Sequence, residues 1–420
     1  MNYTKRREII TLILSCLVLG LVVGLSSSFL SLILEFVEKV FLNFEESSAR
    51  PYASMTDPVH RLISIFIGGL IVAFVWWRIR LKREALVTIP NAIKGKEMPV
   101  KSTILHVIAQ IFYVGTGGSI GREVAPREAG TMFAQQWQKL MSRFSFFKLA
   151  PSDAELLLAA AAGAGFAGVY IAPLTGMFFC IEILLKKATV KTVTVSLSMS
   201  IIAMWVGSLF KGFTPYYAIP DLQFSLALTL PALLVGPLSG IMGIYFRKLF
   251  KWAEKNQTKD KGILWQLPLV ALLTGIVALF FPQVMGNGRG AAQFAMNSAN
   301  MSLLTSLLLI AILKAILTVL TIRSGASGGT LTPSIALGAC LGAVIAILFN
   351  WTCFPISVAQ VAVIGAAALL SVSQRAPLMA SFMMIEVTHL NYTAIIPLGL
   401  AVLLAKLTEK LFENKNKKAL

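Results

Sequence analysis

Eight stretches of this chain are apolar over a length that approaches or reaches a bilayer crossing: 9–34, 62–77, 192–210, 225–247, 264–281, 302–322, 335–350 and 393–406. A hydrocarbon layer roughly 30 Å thick is crossed by a helix of about 20 apolar residues. Between these stretches lie shorter apolar pieces cut by Gly and Pro, at 103–120, 124–137, 156–171, 173–186, 357–370 and 376–387. In lipid every backbone N–H and C=O must find a partner within the protein, which leaves helices or closed barrels. Segments of this length predict helices, so the expected fold is an all-α polytopic membrane protein with ten or more helices of uneven length. Only 13% of the residues are charged and 56% are hydrophobic, against about 25% charged in soluble domains. The polar stretches 43–60, 78–102, 138–155 and 252–262 are loop-sized and leave no room for a soluble head.

Lys5, Arg6 and Arg7 precede the first apolar run. That run is too long for a signal peptide, and no clean small-residue cleavage site follows it. It reads as a spanning helix. The basic residues at the start, with Lys415, Lys417 and Lys418 at the end, predict that both termini lie on the cytoplasmic side of the cell membrane. The formal charge of +18 resides mainly in loops and tails, where it orients the chain and meets anionic lipid headgroups. Nucleic acid is not an expected partner. Cys16, Cys180, Cys340 and Cys353 are far apart, and His60, His106 and His389 are scattered, so neither a metal site nor a cofactor is expected.

The chain repeats itself. Ala172-Pro173-Leu174 and Ala376-Pro377-Leu378 each lead to a glutamate, Glu182 and Glu386, ten residues after the alanine. Upstream of each is a Gly-rich break ending in proline, GGSIGREVAP at Pro126 and SGASGGTLTP at Pro333, 47 and 44 residues before the second proline. The chain therefore divides into two related halves, 1–215 and 216–420, forming one integrated membrane domain. Paired repeats with Gly/Pro-broken helices point to a transport site near the bilayer midplane. A helix start carries unpaired N–H groups and partial positive charge. Several such starts converging form an anion site without a fixed cation.

These residues carry a resemblance. Gly121-Arg122-Glu123-Val124-Ala125-Pro126 is similar to the GREGP motif, and Gly328-Gly329-Thr330-Leu331-Thr332-Pro333 to the GGxFxP motif, of the CLC family of chloride channels and chloride/proton antiporters. The stretches AAAAGAGFAGVYIAPLTGMFFCIEI and MMIEVTHLNYTAIIPLGLAVLLA also resemble that family, and the likeness runs from about residue 10 to 410. It implies two inverted-topology repeats whose broken helices meet at an anion site. It implies Glu123 as the gate, and an anion held by Val87, Thr88, Arg122, Glu123, Val124, Gly329, Thr330, Leu331 and Thr332. It further implies a homodimer with one anion path per subunit, carrying chloride or another halide, with protons as a second cargo.

Departures accompany the likeness. Where the family has GSGIP, this chain has Leu86-Val87-Thr88-Ile89-Pro90, so Val87 replaces the anion-facing serine and Thr88 offers a hydroxyl one position along. The tyrosine of the family's last helix has no clear match, since the chain ends soon after Lys406. The inner proton-carrying glutamate corresponds to Ile183. Glu182 adjoins that position and, with Glu123, marks the expected proton path. The absence of CBS domains implies a prokaryotic-type member. The fluoride/proton branch of the family lacks the same serine, tyrosine and glutamate, so a fluoride/proton antiporter is the alternative to chloride transport. Arg127 and Glu128 read as an internal brace. A reading from another class, an intramembrane serine protease, takes GASG at 325–328 with Ser327 as nucleophile, and GGSIG at 117–121 fits a related pattern. It needs His389 within reach of Ser327, but His389 lies in the polar helix end VTHLNY, and the helices are too many. A transporter, not an enzyme, is expected.

Overall fold

The computed structural model describes residues 3–81, 86–352 and 355–418. In chain order the helices are α1 (Tyr3–Leu42), α2 (Pro58–Leu81), α3 (Ile89–Ile93), α4 (Val100–Gly115), α5 (Val124–Met141), α6 (Pro151–Tyr170), α7 (Pro173–Phe178), α8 (Val190–Lys211), α9 (Thr229–Lys255), α10 (Ile263–Phe280), α11 (Arg289–Asn297), α12 (Leu304–Arg323), α13 (Leu331–Trp351), α14 (Val358–Ser373), α15 (Pro377–Thr388) and α16 (Ile395–Lys418). A π-helical stretch, Phe179–Leu185, continues α7. Among the described residues the extended pairing is confined to one isolated antiparallel bridge, Gly121 with Gly329. Cys353, and the side chains of Lys5, Lys415, Lys417 and Lys418, lie outside the described residues. Cys16, Cys180 and Cys340 are buried free thiols.

Among the described residues eight helices are long and apolar enough to cross a membrane: α1, α2, α6, α8, α9, α10, α12 and α13. The chain is thus an all-α multi-pass membrane protein. The short helices α3 and α11 were not expected from the sequence, and two of the expected segments differ in extent. The piece expected at 156–171 begins five residues earlier, because Pro151 at the first helical turn starts α6. The span expected at 393–406 is the first part of α16, whose remainder is charged and reaches Lys418. The apolar stretch of α1 is 39% buried, and its Leu17, Leu21, Leu25, Phe29 and Phe36 are exposed. The windows of α6 and α13 are 83% and 89% buried, which makes these two the inner helices of their surroundings.

The chain forms two compact units, and neither is one continuous block. The first comprises Met1–Ile33, Arg78–Ala109 and Glu123–Thr214. Within it α6 packs on α5 and α8 through small residues. A methyl group on Gly130 would lie 2.3 Å from the Ala161 carbonyl, and one on Gly165 would lie 2.1 Å from that of Pro126. Such closeness is how helices associate in lipid, where hydrophobicity alone gives no preference for a helix neighbour. Ser27 Oγ donates to the Gly165 carbonyl at 3.0 Å and ties α1 to the same seam.

The second unit comprises Leu34–Trp77, Gln110–Arg122 and Pro215–Leu420. Its centre is the crossing of α13 and α14, where Gly338 and Gly342 face the carbonyls of Gly365 and Val361 with room for no side chain. Helix α9 packs on α14 and α16. At the charged end of that packing Arg247 is held by Glu409 and Glu413, Arg375 by Glu413, and Lys406 by Glu409.

Candidate anion site

Two Gly-rich breaks meet within the second unit. After α4 ends, the chain turns at Gly117, which has φ +104°; a methyl group there would lie 2.7 Å from Ile65 and from Met285. Four residues later the Gly121 N–H donates to the Gly329 carbonyl at 2.8 Å, and the Gly329 N–H donates back to Gly121 at 2.7 Å. Gly328 allows this approach, since a methyl group on it would stand 2.9 Å from the Gly121 carbonyl. GGSIGR and SGASGG, matched in the sequence as a repeat, are thus hydrogen-bonded to each other.

A residue overlooked in the sequence holds the arrangement. Lys314, fully buried on α12, donates to Ser119 Oγ at 3.0 Å, to the Val284 carbonyl at 3.0 Å and to the Gly286 carbonyl at 2.7 Å. The Gly286 N–H in turn donates to the Gly117 carbonyl at 3.0 Å. A lysine inside a spanning segment is costly unless its ammonium is satisfied, and here three oxygens surround it. Its signal was a lone charge in the run AILKAIL.

The second break leads into α13. Thr330 precedes that helix without a side-chain cap. Its hydroxyl accepts from Gln374 at 3.2 Å, and its carbonyl takes the Ser334 hydroxyl at 2.7 Å. Leu331 and Thr332 form the buried first turn, and the Thr332 carbonyl stands 3.1 Å from where a methyl group on Gly288 would be.

Arg122 ends the first break in the same unit and points into an ion cluster. Its Nη1 and that of Arg289 each lie 3.4 Å from Glu46 Oε2. Both guanidiniums stand over the Tyr216 ring, at 5.6 and 4.1 Å from its centre. Burial, and then the Glu46 carboxylate, push the Tyr216 phenol up to about 12. Glu46 and Arg289 carried no motif and were not expected at the site.

In the first unit, Glu123 is the fully buried residue that begins α5, with half-buried Val124 next. Arg127 Nε donates to the Glu123 carbonyl at 2.6 Å, and its guanidinium lies 4.7 Å from the centre of the Phe179 ring. Glu128 pairs with His106 at 3.4 Å. These contacts make the brace expected of Arg127 and Glu128. Val87 packs into an apolar cluster with Met98 and Met132, while Thr88, just before α3, is exposed and makes no cap hydrogen bond. Glu182 and Ile183 lie half-buried in the π-helical stretch. Their offset is therefore smaller than in an α-helix, because the π turn is wider.

The family described as voltage gated chloride channel matches residues 68–410. A voltage-gated ClC-type chloride channel ClcB of Salmonella dublin is 26% identical over 386 residues, covering 88% of this chain and 89% of that protein. Among solved structures, a slow cyanobacterial Cl-/H+ antiporter superposes with TM-score 0.79 at 23% identity, over 96% of this chain and 95% of its own. A CLC-type fluoride/proton antiporter superposes with TM-score 0.71 at 21% identity, over 97% and 96%.

Proposed function

The chain belongs to the voltage gated chloride channel family, and from that premise we propose that it carries chloride across a membrane along a path whose gate is the Glu123 carboxylate. The observation that carries this reading is the Gly121–Gly329 bridge. A pair of backbone hydrogen bonds fixes the two glycine-rich breaks, and two residues beyond Gly121 the chain presents a buried carboxylate at the start of α5. A helix start favours an anion. A tethered carboxylate and a free halide compete for such a place, so protonating or displacing Glu123 opens it. Val124, Gly329, Thr330, Leu331 and Thr332 supply backbone around the ion, Thr88 the inner hydroxyl, and Arg122 positive potential. The two halves, 1–215 and 216–420, act as inverted repeats; the protein works as a homodimer with both termini in the cytoplasm.

Proton coupling is absent or loose. Ile183 cannot carry a proton, and the half-buried Glu182 is the neighbouring carboxylate. A fluoride/proton antiporter is the second reading. It is favoured by Val87, whose side chain packs into an apolar cluster and brings no hydroxyl. Efflux from liposomes, followed with chloride and fluoride electrodes and a pH probe together, tests both. Chloride release faster than fluoride release is expected. Fluoride release with opposed proton movement and no chloride release would overturn the first reading in favour of the second.

A further inference from the structure

Thr330 stands between the Gly121–Gly329 bridge and the first residue of α13. A threonine just before a helix commonly accepts from the N–H of the helix's second or third residue. The third residue of α13 is Pro333, which has no N–H, and Thr330 makes no cap hydrogen bond. Its hydroxyl oxygen accepts instead from Gln374 Nε2 at 3.2 Å. The hydroxyl and N–H of Ser334 go to the Thr330 carbonyl and leave the side chain alone. Among the described residues the Thr330 hydroxyl donates to no acceptor. This half-buried residue therefore has a proton to give.

Gln374 is held in place through its backbone. It ends α14, with its N–H donating to the Leu370 carbonyl at 3.0 Å. On one side of it Arg247 of α9 donates to the Val372 carbonyl at 2.5 Å, and on the other Arg375 pairs with Glu413 of α16. The amide thus reaches Thr330 from a point tied to two other helices. A hydroxyl that accepts a hydrogen bond is polarised and donates more strongly through its own proton. A halide offers only lone pairs, so the useful state of Thr330 is the one in which Gln374 donates to it. A bound ion selects that state, because it takes the hydroxyl proton and leaves the oxygen to accept from the amide. The second break thereby carries the kind of side-chain donor that Val87 lacks.

We propose that Gln374 is a positioning residue of the anion path, which by donating to Thr330 Oγ1 commits the Thr330 hydroxyl proton to the transported halide. The inference rests on the reading of the chain as a chloride carrier with Thr330 beside the ion. It adds a side-chain donor where that reading uses the Thr330 backbone alone, and it brings in a residue outside every motif of the sequence.

Calorimetric titration with chloride in detergent compares the wild type with Thr330→Val, which removes the hydroxyl at similar shape, and Gln374→Met, which removes the amide at similar length. Thr330→Val should weaken chloride binding about tenfold or more, the effect of losing a hydrogen bond to a charged group. Gln374→Met should weaken it about two- to tenfold, the effect of losing a neutral one. Thr330→Ser should bind like the wild type, which separates the lost hydroxyl from a disturbed fold, and Thr330→Ala gives the same comparison if the valine does not fold. Adding Gln374→Met to Thr330→Val should change nothing further, since the amide acts only through the hydroxyl. A purely structural Gln374 would weaken binding in both backgrounds, and that result would overturn the proposal. So would unchanged binding in Thr330→Val, or tighter binding in Gln374→Met, which would mean that the amide withholds the hydroxyl proton from the ion. Chloride efflux from wild-type liposomes is read separately. A wild type that releases no chloride removes the premise and the proposal with it, whereas release together with unchanged binding in Thr330→Val removes the proposal alone.

Discussion

Glu123 and Lys314 illustrate two fates of a charge inside this protein. Glu123 stands at the start of a helix at a glycine-rich break, where on the proposed reading a carboxylate and a passing anion compete. Glu123→Gln keeps the shape of the carboxyl group and removes its charge and titration. We expect chloride flux through this variant to lose its dependence on pH and any accompanying proton movement, read with a chloride electrode and a pH probe on the same liposomes. A variant that still moves protons uphill on a chloride gradient would remove Glu123 from the gate. Lys314 instead is consumed in structure, with its ammonium satisfied by Ser119 and two carbonyls. Lys314→Met leaves those carbonyls without a donor in a buried place. The expected loss is roughly 2–4 kcal/mol, from the cost of unsatisfied buried polar groups and lost charged hydrogen bonds, visible as a lower melting temperature in detergent. An unchanged melt would mean that water replaces the ammonium. Glu123 was legible because glycine and proline flank it. Lys314 was not, because its partners lie 28, 30 and 195 residues away in the chain.

At the scale of elements, hydropathy and turn chemistry revealed most of the helices, and what escaped was whatever hydrogen-bond register and long-range pairing decide. The π-helical stretch Phe179–Leu185 has no compositional mark, since its residues would serve an α-helix equally well. The association of α9 with α16 was equally silent: Arg247 meets Glu409 across 162 residues. That pair makes a prediction about acid. Burial alone would raise the Glu409 carboxyl, but the hydrogen bonds and charges of Lys406 and Arg247 prevail and hold it below its ordinary value. A carboxylate depressed in the folded state stabilises the fold above the unfolded value, about 4.3, and loses that contribution as pH falls through the folded value. Melting temperature should therefore fall as pH drops below about 4.3. Glu409→Gln should be less stable than wild type at neutral pH and lose part of this acid dependence. Parallel melting curves for the two proteins from pH 7 down to 3 would contradict the assignment.

Over the whole molecule the internal repeat reaches down to single backbone angles. Ile171 and Arg375 both take left-handed conformations, with φ 55° and 57°, and each is followed by an alanine at φ −131° or −133° and then by the proline that opens α7 or α15. Both segments end on a left-handed residue, Lys186 at φ 52° and His389 at φ 54°. The Ala-Pro spacing made this likeness visible in the sequence. The left-handed positions were invisible, since a non-glycine residue at positive φ is uncommon and carries no motif. Repetition of the backbone does not extend to the charges it carries. Glu123 has a titratable side chain beside the first break, whereas the corresponding part of the second break, Gly329-Thr330-Leu331, has none. Behind the first segment stands Ile183, which cannot pass a proton onward. A carrier that exchanges chloride for protons in a fixed ratio needs a proton path to both sides of its anion, and with Ile183 at the inner position that path would have to run through Glu123 alone or through Glu182. We therefore expect the reversal potential across a planar bilayer, with chloride and pH gradients opposed, to follow the chloride gradient alone. A potential displaced by the pH gradient in a constant ratio would establish tight exchange, and would require Glu123 itself, or Glu182 turned by the π-helical stretch, to serve the inner side.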